Sequence, residues 1–250
     1  DLRISTKEIK LKDIISLARV FQNSPLLFVL GTVIRDGDVI VNINLNFDEK
    51  GRVKENYKIE GSIKKAKLDI LNQFKFKNLN FNFDISKSLY SLKKLDVELN
   101  NIEITSPIIK IKRNKNLFSV DGQFLNDKKN FDIKKFKPIF VNLLNNIDLQ
   151  KVEFSSKNNF SFNVNKNLKF DNFKIKSIVD LNQLIINQKD LKLKPYLPSF
   201  KEEIKLKNHK ITINYSKDKF DIEGNGNISL EDKIDNLAYQ IVKDNMGYSF

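Results

Sequence analysis

Between Leu92 and Leu125 the chain reads LKKLDVELNNIEITSPIIKIKRNKNLFSVDGQFL, and no other stretch limits the possible folds so tightly. Leu95, Val97 and Leu99 alternate with charged residues, and Ile102 and Ile104 resume the pattern after Asn100-Asn101. Ile109 and Ile111 follow Pro107, and Phe118, Val120 and Phe124 end the run. A period of two gives each piece one apolar and one wetted face, which is the signature of half-buried strands. The Asn pair, Ser106-Pro107 and the cluster from Arg113 to Asn116 are residues that accept turn geometry. The stretch therefore predicts an antiparallel meander of about four strands.

The same period recurs along most of the chain. Leu2, Ile4 and Ile9 predict a short strand, after which Leu11, Ile14, Ile15, Ala18 and Phe21 recur at three and four. That spacing predicts a helix over 11–22, stopped by Asn23-Ser24-Pro25. Pro25 to Ile34 fits a short helix or a buried strand, since periodicity does not separate the two. Asp36-Gly37-Asp38 reads as a turn, followed by alternation at Val39, Val41, Ile43, Leu45 and Phe47. Further strands are predicted over Tyr57 to Ile63, Ala66 to Leu71 and Phe74 to Ile85. In the last of these the apolar parity changes between Phe76 and Leu79, which calls for a bulge or tight turn near Lys77-Asn78. Ile133, Phe136, Phe140, Leu143, Leu144 and Ile147 return to helical spacing, with Pro138 at a first-turn position, predicting a helix over 137–146. Strand patterning resumes at Val152 and Phe154, Phe160 to Val164, Phe170 to Ile175 and Leu184 to Ile186. Pro195 to Pro198 reads as a loop, and Ile204 to Leu230 as three strands with a hairpin tip at Lys217-Asp218-Lys219.

A loose repeat links these strands. Tyr57-Lys-Ile59-Glu-Gly61, Phe118-Ser-Val120-Asp-Gly122 and Phe220-Asp-Ile222-Glu-Gly224 share an apolar, polar, apolar, acidic, glycine order. Irregular spacing speaks against a strict solenoid or propeller. Each half places a helix ahead of strands, so the expected organisation is a helix-plus-meander unit over 1–126 and a second over 127–250, continuing one sheet. The chain starts at Asp1 without an initiator Met or signal peptide, which reads as a piece of a longer protein.

Composition narrows the function. The net charge of +13 rests on lysine, with arginine at only five positions (3, 19, 35, 52 and 113), so bidentate readers of phosphate and bases are scarce. A dispersed lysine excess fits solubility and attraction to anionic surfaces. There is no cysteine, which removes disulfides and thiolate metal sites. The longest apolar run, Pro25 to Ile34, is half the roughly 20 residues that a membrane span needs. Any anchor is therefore expected outside this segment.

Catalytic chemistry finds no support. His209, the sole histidine, has Lys207, Asn208 and Lys210 beside it and no adjacent carboxylate to orient it, so it reads as a plain strand-edge residue. Asp36 and Asp38 lack the remainder of a calcium loop, and Gly224-Asn-Gly226 precedes a strand where a phosphate loop would precede a helix. Phe74-Lys-Phe76-Lys resembles a stacking platform for single strands, but the same alternation recurs in every strand. Apolar strand faces far outnumber the helices available to cover them. Such a face must be hidden on another sheet, on helices or on a ligand, and a lipid acyl chain gains ~0.8 kcal/mol per buried methylene.

The order of helix, meander, LDVELNNIEITSPIIKIKRNKNLFSVDGQF, and a second pass ending LKNHKITINYSKDKFDIEGNGNISL, resembles the AsmA-like repeat proteins, in particular their YhdP-type central region. The resemblance implies a mainly β fold: a long, twisted, taco-shaped antiparallel sheet with an apolar trough and two or three short helices. It implies a non-enzymatic protein, anchored in the inner membrane outside this segment, that conducts phospholipid across the periplasm toward the outer membrane. No cofactor, metal or catalytic residue is implied. The candidate trough residues are the alternating apolar positions Val41, Ile43, Leu45, Phe81, Phe83, Leu95, Val97, Leu99, Ile109, Ile111, Phe118, Val120, Phe124, Phe220 and Ile222. The expected partners are phospholipid acyl chains and an anionic membrane surface, with nucleic acid not expected. A closed β-sandwich without ligand and a basic nucleic-acid-binding module are the competing readings.

Overall fold

The computed structural model describes residues 1–21, 25–70, 74–99, 102–114, 117–127, 148–165, 167, 169–187, 203–217, 219–230, 233–244 and 247–249. Two short strands, β1 (Leu2–Ser5) and β2 (Ile9–Lys10), lead into helices α1 (Leu11–Phe21) and α2 (Pro25–Val33). Then come β3 (Ile34–Leu45), β4 (Lys58–Ile70), β5 (Phe74–Ile85), β6 (Leu89–Leu99), β7 (Ile102–Asn114) and β8 (Leu117–Asn126). The remaining strands are β9 (Asp148–Asn165), β10 (Phe170–Asn187), β11 (Glu203–Ser216), β12 (Lys219–Leu230), β13 (Lys233–Asp244) and β14 (Gly247–Ser249).

The strands are hydrogen-bonded in chain order from β3 to β14, with β1 and β2 both on β3. This is the mainly β, antiparallel sheet that the alternation predicts, and helix among the described residues is confined to α1 and α2. Packing divides the chain into two units: Asp1–Gln123 with Ser161–Asp171, and Phe124–Phe160 with Asn172–Phe250.

The helices follow from local rules. In α1, Leu11, Ile14, Ile15 and Ala18 form the inward stripe, Ile15 is buried, and Asp13 and Arg19 sit at the ends the helix dipole favours. Pro25 opens α2, where its missing N–H costs nothing, so the ambiguous 25–34 run resolves into a helix that hands over to β3 at Ile34. A Cβ on Gly31 of α2 would lie 3.4 Å from Arg19 and 3.8 Å from Ile15, so the helices approach closely there.

Several expected turns are instead interruptions within one strand. β7 runs straight through Ser106-Pro107, β4 spans Ile63 to Ala66, and Asp36-Gly37-Asp38 lies inside β3. The 92–125 stretch consequently holds parts of three strands, and 204–230 holds two. Proline survives inside β7 because the ladder pairs Lys93 with Ile108 and Leu95 with Ser106, skipping Lys94 and Pro107. Ser216 pairs with Lys219, so the chain reverses where the Lys217-Asp218-Lys219 tip is expected, Asp218 itself lying outside the described residues. β13 was not expected: its apolar residues Ile234, Leu237, Tyr239, Ile241 and Val242 mix parities, and Ile234 is exposed. The expected helix at 137–146, the loop at Pro195 to Pro198 and the Asn100-Asn101 turn lie outside the described residues.

Candidate functional site

Residues directly opposite one another in an antiparallel pair project from the same side of a sheet, so the register maps the faces. Val39, Val41 and Ile43 of β3 oppose Ile63, Gly61 and Ile59 of β4. Those oppose Phe81, Phe83 and Ile85 of β5. Phe83 and Ile85 in turn oppose Leu92 and Tyr90 of β6, which oppose Ile109 and Ile111 of β7. Each of β4 to β7 then reaches a point where its apolar residues change from one parity to the other. In β4 the change lies between Ile63 and Ala66, in β5 between Phe76 and Leu79, in β6 between Leu92 and Leu95, and in β7 between Ser106 and Ile109.

In a regular strand such a change would turn half the apolar residues to the wrong side. Here the backbone changes with it. Lys65, Asn78 and Lys94 have φ of 52°, 52° and 51°, left-handed values that L-residues rarely adopt, and the register slips and recovers beside the first two. In β3 the equivalent place is Gly37, with φ 139°, where a Cβ would lie 2.8 Å from the Ala66 Cα. Beyond the interruption Leu68 pairs with Phe76, Phe76 with Leu99 and Val97 with Ile104, so apolar again meets apolar. The bulges sit side by side across neighbouring strands and keep one face apolar along the whole length of each.

Asn80 ties this crease together. Its side-chain oxygen accepts from the Lys65 amide at 2.8 Å, and its amide nitrogen donates to the Asn78 carbonyl at 2.7 Å and to the Asp96 carboxylate at 3.2 Å. The left-handed residues of β4 and β5 and Asp96 of β6 are thus held by one side chain.

In the first unit the structure brings Val41, Ile43, Leu45, Phe81, Phe83, Leu95, Val97, Leu99, Ile109 and Ile111 onto this single face. Phe118 joins them, its ring 6.5 Å from that of Tyr90, and Val120 shares its parity on β8. Their exposure divides them. Leu95, Val97, Ile109 and Val120 are closed off at 6–8% exposure, whereas Val41, Ile43, Leu45, Phe81, Phe83, Leu99, Ile111 and Phe118 stay half-exposed. Ile59, Ile63, Leu68, Phe76, Tyr90, Leu92, Ile102 and Ile104 lie on the same face and are not among the candidate trough residues. The parity signal that selected their neighbours also marks them.

In the second unit Phe220 and Ile222 of β12 oppose Tyr215 and Ile213 of β11, and Ile222 opposes Ile241 of β13. Phe124 stacks on Phe160 with ring centres 4.7 Å apart. Two glycines of the loose repeat, Gly61 and Gly224, each clear space for a ring from a neighbouring strand. A Cβ on Gly61 would lie 2.5 Å from the Phe83 ring, and one on Gly224 would lie 2.4 Å from that of Tyr239. Gly226 does the same for His209, at 2.4 Å. His209 is therefore a buried residue of an interior strand, 1% exposed, opposite Leu181 and with Nε2 3.0 Å from the Asn227 carbonyl oxygen. The strand-edge expectation fails because the glycine that receives the ring lies on the next strand. Burial also raises the Tyr239 hydroxyl above its ordinary pKa.

The opposite face is ionic. Lys93 meets Asp84 at 2.5 Å and holds that carboxyl below its usual range, while Lys58 pairs with Glu60, which raises the lysine. Asp36 is lowered chiefly by the Gly37 amide it accepts from and then by Lys10, which also meets Asp38 at 2.6 Å. Asp36 and Asp38 are thus satisfied by a lysine. A pocket of about 230 Å³ beside the crease is lined by Asn78, Asp96, Glu98, Glu103 and Thr105 with the edges of Val97 and Ile104. Among the described residues no group of three His, Cys, Asp or Glu side chains is placed to hold a metal ion, and no helix is long and apolar enough to cross a membrane.

Comparison with protein-family models, with curated proteins and with solved structures finds no match to this chain.

Proposed function

We propose that this chain is a non-enzymatic, lipid-carrying segment whose apolar sheet face receives phospholipid acyl chains, in the manner of the AsmA-like proteins its strand patterning resembles. The observation that carries the reading is the line of bulges. Left-handed backbone at Lys65, Asn78 and Lys94 costs about 1 kcal/mol or more at each, and its effect is to keep one face apolar past the point where the side-chain parity changes. A sheet that needed only a local core could leave the far half of each strand polar on that side.

The half-exposed rows of Val41, Ile43 and Leu45 on β3 and Phe81 and Phe83 on β5 offer methyl and ring surface. A sixteen-carbon chain half in contact with such a surface gains about 6 kcal/mol, at ~0.8 kcal/mol per fully buried methylene. Because successive rows present similar apolar surface, a chain moving from one row to the next exchanges one contact for another. In this reading the protein works in the periplasm between inner and outer membranes, with its anchor elsewhere in the full-length protein. Extraction of the purified chain and mass spectrometry of the extract tests the proposal: co-purifying phospholipid, lost in Ile43→Glu, is expected. A lipid-free protein that also fails to take up phospholipid from mixed micelles would overturn it.

A further inference from the structure

Helices α1 and α2 carry an apolar surface that is left exposed among the described residues. Leu17 and Val20 of α1 are 55% and 79% exposed, and Phe28 and Val29 of α2 are 58% and 39% exposed. Leu17 and Val20 are three residues apart and so share one side of α1. Arg19 bridges to the second helix, its guanidinium carbon 5.6 Å from the centre of the Phe28 ring. The sequence of α2, PLLFVLGTV, contains no charge or carboxamide at all, a composition normally found on helices buried all round.

What surrounds the patch distinguishes possible covers. The exposed charges on the two helices and at the start of β3 are Lys12, Asp13, Arg19 and Arg35, three cations to one acid, with Asp13 four residues before Leu17 and so on its side of α1. Apolar side chains flanked by cations match the interface of an anionic bilayer, where rings and aliphatic groups enter the acyl boundary and the cations stay at the phosphates. A second copy of the same surface would bring these like charges together. We infer that the α1–α2 hairpin seats this protein on an anionic phospholipid surface, through Leu17, Val20, Phe28 and Val29 inserted and Lys12, Arg19 and Arg35 at the headgroups. The inference deepens the lipid reading by naming where the sheet meets its membrane, and it rests on that reading for its purpose, though not for its geometry.

The test uses the whole chain with sucrose-loaded vesicles of phosphatidylcholine alone or with 30% phosphatidylglycerol, sedimented at low and physiological salt. Three proteins are compared: wild type, Val20→Glu/Phe28→Glu, and Lys12→Glu/Arg19→Glu, each checked by circular dichroism. Fluorescent phospholipid uptake from micelles is measured in parallel. The expected result is wild-type binding to the anionic vesicles, with each cation contributing about fivefold. The apolar double variant should bind at least about tenfold more weakly, since two hydrophobic anchors are lost. The charge variant should lose its preference for anionic lipid, and all three should load fluorescent phospholipid equally. Normal vesicle binding without uptake would sink the lipid-carrying reading while leaving the docking surface standing. Undiminished binding by Val20→Glu/Phe28→Glu overturns the docking surface, as does a wild type that ignores both vesicle types. A wild-type dimer that the same double variant makes monomeric, without vesicle binding, assigns the patch to a second copy and equally overturns it.

Discussion

A carboxylate placed on the apolar face should behave in opposite ways at two positions that the sequence does not distinguish. Val97 and Ile43 both belong to the alternating apolar set, but Val97 is 6% exposed whereas Ile43 is half-exposed. In Val97→Glu the new side chain either ionises in a site closed to water or stays protonated. Holding a carboxyl with an ordinary pKa near 4.3 neutral at pH 7 costs about 4 kcal/mol at 1.36 kcal/mol per unit. Losing the valine contact adds about 1.5 kcal/mol. The sum, about 5 kcal/mol, is a large share of the 5–15 kcal/mol that typically separates folded from unfolded protein. The pKa of Glu at 97 is raised in the folded state, so the penalty is full above that raised value and shrinks as pH falls toward the unfolded value. At Ile43→Glu the carboxylate reaches water, so the loss is about 1 kcal/mol and nearly independent of pH. Urea unfolding at pH 7 and pH 4.5, with phospholipid content by mass spectrometry, separates the two. Val97→Glu should regain most of its lost stability at pH 4.5. Ile43→Glu should fold normally and lose lipid. Equal, pH-independent destabilisation at both sites would refute the division of the face into closed and open rows.

Three further outcomes follow from particular contacts. Asn80→Ala removes acceptors and donors at Lys65, Asn78 and Asp96, and should cost about 1–2 kcal/mol at these partly solvated bonds, with faster hydrogen exchange at the Lys65 amide; unchanged exchange there would show that the crease holds itself. Gly224→Ala should cost about 1–3 kcal/mol because its Cβ meets the Tyr239 ring, and far less in a Tyr239→Ala background; strictly additive losses would place the strain elsewhere. Asp84 is held below its ordinary pKa by Lys93, so its stabilisation is complete above the unfolded value near 3.8 and is lost as pH falls below it. Asp84→Asn should therefore destabilise by about 0.2–1 kcal/mol at pH 7 and not at pH 2, which thermal melts at the two pH values can read.

Periodicity carries side-chain direction along a chain, and it made the strand content, the α1 stripe and the Lys77-Asn78 bulge legible. It carries no information on whether a parity change reverses the chain or merely kinks it. Gly37 and Ser106-Pro107 have the residues of a turn and sit inside strands, because a turn and a bulge both need backbone that regular strand residues avoid. Lys65 and Lys94 are harder still, since lysine has no preference for left-handed backbone and is placed there by its neighbours. Among the site residues, alternation identified the apolar face but not its closed rows, because closure depends on cross-strand crowding. His209 and Gly226 show the same limit. Nothing near either residue in the sequence signals that one fills the space the other leaves.

The crease has one consequence for how such a chain can change over time. Each interrupted strand carries its extra residue at a matching level, so the sheet keeps something like a reading frame, shared between strands that are far apart in sequence. Deleting Lys65 would not shorten β4 by one unremarkable lysine. It would leave β4 a regular strand, with Ile63, Ala66, Leu68 and Ile70 still alternating onto the apolar side, but without the kink and the extra residue that match it to β3 and β5 across the crease. Point substitutions can accumulate strand by strand, but a change in length is neutral only at strand ends or where a neighbouring strand has already changed to match.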